Sequence, residues 1–115
     1  MLQNVSIITD GAEVRMARQN ALLEPGEPFF GWEAVLERYE WPVCHIFNRL
    51  SPAYPEMLAI AVCGVLFHPT EGDEEATDFF AYDIYVFTEK SGWFLPKEEA
   101  NALFSVAGLM YAHGS

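Results

Sequence analysis

A chain of 115 residues is sized for one domain built around one core. Hydrophobic residues make up 51% of it and aromatics 15%, which excludes a disordered or low-complexity chain. Against 6 lysines and arginines stand 17 acidic residues, a formal net charge of −11, so electrostatics opposes direct binding to nucleic acid or to an anionic membrane.

Residues 4–9, with Val5 and Ile7 alternating, read as a strand. Asp10-Gly11 then reads two ways, as a two-residue hairpin turn or as an N-cap with Glu13 completing a capping box. The strong helix formers of AEVRMARQNALLE favour a helix over 12–24, broken by Pro25, Gly26 and Pro28. A second helix is expected over 31–40, with Trp32, Val35, Leu36 and Tyr39 on one face, Glu33, Glu37 and Glu40 on the other, and Pro42 as its stop. The β-branched and aromatic content of 43–50 reads as a strand.

Over 57–68, Leu58, Ile60 and Val62 alternate with Ala59, Ala61 and Cys63, the large-and-small pattern of a central strand covered on both faces. A polar loop over 70–78 follows, and then residues 79–88, a strand with Phe80, Tyr82, Ile84 and Val86 on one face. The turn 89–92 leads to a short edge strand at Trp93-Phe94-Leu95. A terminal helix starting at Pro96-Lys97 carries Ala100, Leu103, Phe104, Ala107, Met110 and Tyr111 at helical spacing. Together these predict a single α+β domain over 1–115, a mainly antiparallel sheet of four to five strands with two to three helices packed on one face.

The N-terminus shows neither a basic stretch nor an apolar core of the secretory kind, and the longest apolar run, Met57 to Phe67, is eleven residues against the roughly 20 that span a bilayer. A cytoplasmic protein is expected, with Cys44 and Cys63 as buried, reduced thiols. Cys44, His45, Cys63 and His68 have the residue types of a zinc site but not its spacing, since neighbours on a strand point to opposite faces. Neither cysteine has the surroundings of an activated nucleophile, no serine sits in G-x-S-x-G, and no glycine-rich phosphate cradle occurs. No cofactor, metal or catalytic residue is therefore assigned. Asp83 lies inside an apolar strand, where alternation turns it outward beside Tyr85.

The acidity is uneven. Residues 71–115 carry nine acids against Lys90 and Lys97, net −7, whereas residues 1–70 are net −4. Glu71, Asp73, Glu74, Glu75 and Asp78, extended by Asp83, form a run without an intervening base, and the run lacks the calcium-loop pattern. Such a field suits a basic protein partner, and Trp93 beside it supplies an aromatic anchor, so these seven residues are the candidate partner-binding set. In size and acidity the chain is similar to anti-CRISPR proteins and to immunity proteins that neutralise nuclease toxins. The resemblance rests on profile and places no motif on particular residues. The function expected from it is a non-enzymatic inhibitor occupying the basic, nucleic-acid-binding surface of a partner. The alternatives are a small α+β enzyme or ligand-binding domain with a pocket between sheet and helices, where Asp83, His45 and His68 supply the polar groups, and a structural subunit that oligomerises through the Trp93 edge strand, with a homodimer as its simplest form.

Overall fold

Asp10 turns the chain instead of starting a helix. In the computed structural model, which describes residues 2–19, 21–29, 31–67 and 77–112, its Oδ1 accepts hydrogen bonds from the backbone N–H groups of Ala12 and Glu13 at 2.9 Å each. These are bonds an N-cap would make, yet here they close a turn between β1 (Leu2–Thr9) and β2 (Val14–Arg18). The helix expected over 12–24 is thus corrected to β2 and β3 (Ala21–Leu22). Met16 faces the core with no exposed surface, opposite Ile7. Burying it is worth about 1.5–3 kcal/mol, more than the few tenths that separate most residues in helix propensity.

The helix α1 runs from Trp32 to Leu50, straight through Pro42, so the expected stop at Pro42 and the expected strand over 43–50 are both corrected. A proline inside a helix costs about 3 kcal/mol. Val35, Tyr39, Val43, Ile46 and Leu50 continue one buried stripe across it, and Val43, Ile46 and Leu50 alone offset that cost at roughly 1.5–3 kcal/mol each.

Then come β4 (Ala59–Phe67), β5 (Asp78–Phe87), β6 (Gly92–Phe94), α2 (Lys97–Ala107) and β7 (Met110–Tyr111). The terminal helix ends earlier than its apolar spacing implies. Gly108 takes a left-handed φ of 81° and the Leu109 N–H bonds back to Phe104 O at 2.9 Å, a glycine C-cap that releases Met110 and Tyr111 to pair in parallel with Phe80 and Ala81. The sheet order is β3-β2-β1-β4-β5-β6 with β7 also on β5, every other pairing being antiparallel. The described residues therefore form an open mixed sheet of seven strands with two helices, more strands than expected. Val5, Ile7, Ile60, Val62, Ile84 and Val86 share one core with Val35, Ile46 and Phe104, so both helices cover the same sheet face.

One irregularity resets the face pattern. Cys63 opposes Asp83 and the next residue, Gly64, opposes Ala81, which leaves Tyr82 as an extra residue in β5. Phe79 and Ala81 face the core before this bulge, and Ile84 and Val86 after it. The single face expected to carry Phe80, Tyr82, Ile84 and Val86 is accordingly corrected. Gly64 permits the close approach, because a Cβ there would lie 2.6 Å from Phe79 Cζ and closer still to the Phe80 carbonyl oxygen. Among the described residues no helix is long and apolar enough to cross a membrane.

Candidate functional site

A groove of about 340 Å³ lies where the start of β2 and the chain after β3 meet α1. Val14, Leu23, Pro25, Trp32 and Leu36 supply its apolar surface. The segment between β3 and α1 is held in place by Trp32 Nε1, which donates to Glu27 O at 2.9 Å, and by the Leu23 N–H bond to Met16 O at 2.8 Å. The charged wall consists of Glu33, Glu37 and Glu40, which α1 presents at i, i+4 and i+7, together with Arg15. Arg15 is already engaged, 3.4 Å from Glu13 and 3.7 Å from Glu24. Among the described residues Glu33 accepts a 3.4 Å hydrogen bond from the Gly26 N–H, and no lysine or arginine pairs with Glu33, Glu37 or Glu40. The groove thus combines an apolar floor with uncompensated negative charge.

The residues singled out from sequence lie elsewhere and apart. Asp78 is taken up internally: it accepts hydrogen bonds from the Tyr39 hydroxyl and, at 2.8 Å, from the Phe79 N–H, and stands 3.3 Å from Arg38. Asp83 lies on the sheet face away from the helices and binds Lys97 Nζ at 2.9 Å. Trp93 is half-buried against Tyr54, with ring centroids 5.6 Å apart. His45 stacks on exposed Trp41 along α1, centroids 5.0 Å apart. Glu71, Asp73, Glu74, Glu75 and His68 lie outside the described residues. Asp83 and His45 therefore do not meet in the groove, and its carboxylates appear in the sequence only as the polar face of α1.

Both cysteines are free and half-buried. Burial, and secondarily the Asp83 carboxylate, push the Cys63 thiol above its ordinary range, while a hydrogen bond from Ser6 Oγ at 3.6 Å works against this. Cys44 and His45 lie on α1 and not on a strand, so successive positions there turn by about 100° instead of pointing to opposite faces. Among the described residues no group of three or more histidines, cysteines and carboxylates could hold a metal ion.

No protein-family model and no curated protein matches the chain. Solved structures do. Two structures of Naegleria gruberi RNA ligase, different single-residue variants each determined with ATP and Mn, align with TM-scores of 0.66 at 14% and 16% identity. Each alignment covers 96% of this chain and 32% of the ligase, so the chain spans about a third of the length of those proteins. At such identities the likeness is one of fold. These fold neighbours are enzymes, and this overturns the expected reading as a non-enzymatic inhibitor of the anti-CRISPR or nuclease-immunity kind. Size and net charge suggested that reading, and neither property reports how strands are connected.

Proposed function

We propose that the chain acts as a ligand-binding α+β domain of the enzyme type, with the groove between β2 and α1 as its site and an amphipathic cation as its ligand. The observation that carries this reading is the pairing, in one groove, of the Trp32–Leu36–Val14 surface with Glu33, Glu37 and Glu40. A volume of about 340 Å³ falls within the range of small-molecule sites. An amine or guanidinium on an apolar body would place its charge along the three glutamates and its body against Trp32, and a carboxylate or phosphate in the same place would be repelled. The fold shared with RNA ligases supports an enzyme-type domain and does not supply the substrate.

The test is an NMR titration with tryptamine, using indole-3-acetate as the charge-reversed control. Tryptamine should shift the amides of Val14, Leu23, Trp32 and Leu36, indole-3-acetate should not, and the triple change Glu33→Gln, Glu37→Gln, Glu40→Gln should weaken tryptamine by about tenfold or more, with binding falling as salt rises. Shifts located elsewhere, or equal binding of both probes, would sink the reading.

A further inference from the structure

Among the described residues no helix covers the sheet face opposite α1 and α2, and its relief is uneven. Toward the β6 edge, Tyr85 stands between Phe87 and Phe94, with ring centroids 4.9 Å from each, and its ring fills the space over Gly92 where a Cβ would lie 2.6 Å away. These three rings form a ridge, with Phe94 59% and Phe87 36% exposed. Toward the β3 edge, Ser6 opposite Ala17 and Ala61 opposite Ile8 floor a depression of about 270 Å³ walled by Leu22, Ala21 and Phe87. Among the described residues no charged one lines that depression, on a chain in which 20% of residues are charged and the net charge is −11.

We infer that this face is the interface of a homodimer in which the Tyr85–Phe87–Phe94 ridge of each copy fills the small-residue depression of the other. A twofold axis near Phe87, which borders both features, brings ridge to depression twice over, the self-complementarity that an isologous contact requires. A strongly charged partner would find no counter-charge in the depression, whereas the aromatic ridge of a second copy enters it without burying an unpaired charge, and the Asp83 on this face is already paired with Lys97. The extent is adequate: strands of these lengths at about 4.8 Å spacing present on the order of 600 Å² of projected sheet before side-chain relief, close to the roughly 800 Å² per partner of a standard interface. Sheet-on-sheet packing at about 10 Å is an established way of covering such a face.

Sedimentation equilibrium and light scattering on the full chain test this, from about 1 µM to about 1 mM at low and at high salt. The expected result is a concentration-dependent species of twice the 13.0 kDa chain mass, tightened by salt, which screens repulsion between two copies of charge −11 and leaves apolar contact intact. Phe94→Glu, on the ridge, and Ala21→Trp, filling the depression from an exposed position, should each weaken it by about tenfold or more with unchanged circular dichroism. A monomer at every concentration, a dimer that salt weakens, or a dimer indifferent to both substitutions would overturn the proposal. Cation binding in the groove has the opposite salt dependence and does not involve either residue, so the two readings fail separately.

Discussion

Tyr39 donates its phenolic hydrogen bond to Asp78 and so joins the middle of α1 to the first residue of β5. Burial, reinforced by that hydrogen bond and by the Asp78 charge, pushes the Tyr39 hydroxyl up to about 12 from an ordinary 10.0. Below pH 10 the phenol is protonated in folded and unfolded chains alike, and its contribution to stability is fully present. Between pH 10 and about 12 the unfolded chain releases the proton first, so this contribution falls as pH rises. Tyr54 and Tyr82 are raised as well, the first mainly by its hydrogen bond to Glu99 and the second by burial, so the informative quantity is the difference from Tyr39→Phe. That variant should lose about 1–2 kcal/mol at neutral pH, show a flatter decline above pH 10, and lack the latest phenolate in an ultraviolet titration. An unchanged titration would mean that the bond is not kept in solution.

Lys97 opens α2, where the positive end of the helix dipole disfavours a cation. It is held there by the Tyr82 carbonyl at 2.5 Å and by Asp83 at 2.9 Å. Because both side chains of the ion pair are substantially exposed, at 46% and 31%, the pair is screened. Lys97→Gln should therefore cost less than about 1 kcal/mol in urea denaturation, and the difference should shrink in about 1 M salt. A loss above about 2 kcal/mol would show that the lysine holds the bulge at Tyr82 in place.

The parts of this fold legible in the sequence are those where one periodicity runs unbroken. The large-and-small alternation of Ile60-Ala61-Val62-Cys63 declares β4 although Pro55-Glu56 just before it would suit a helix start, and the Ala100–Phe104–Ala107 stripe declares α2. Two segments carry conflicting signals. Residues 14–18 have helix-forming composition but pair with β1, and residues 43–50 have strand-forming composition but continue a helical stripe past a proline. In both, long-range burial outweighs local preference. The groove inherits this blindness: Glu33, Glu37 and Glu40 are visible as a polar helix face, while the apolar surface opposite them needs Val14 and Leu23 in a strand and its following turn. The buried stripe through Pro42 is the signal that would have recovered α1.

Gly64 marks the point where β4 and β5 change register. Its replacement by alanine would drive a methyl group into Phe79, itself fully buried, and against backbone at Phe80 that cannot swing aside. Gly64→Ala should cost about 2–4 kcal/mol and expose the core enough to raise dye binding. Gly26→Ala is the comparison, since nothing lies within 4 Å of its Cβ position and only its φ of 86° is strained, at about 1 kcal/mol. Equal losses at both sites would show that the bulge relaxes to admit the methyl group.

Pro42 is tolerated in α1 because burial on either side outweighs its cost, so the cost itself is still present in the native chain. Proline leaves the Arg38 carbonyl without its helical N–H donor and lacks the favourable propensity of alanine. Its neighbours Val43 and Tyr39 are buried, while Pro42 itself is only half-buried, so shortening the side chain opens little space. Pro42→Ala should therefore stabilise the protein by about 1–3 kcal/mol, measured as a rise in the urea midpoint at constant slope. It should also leave the tryptamine shifts of the groove unchanged, because Glu40, the nearest groove residue, already lies in regular helix. A destabilised variant would mean that the proline ring packs in a way the helix depends on, and that α1 is shaped by Pro42 as well as surviving it.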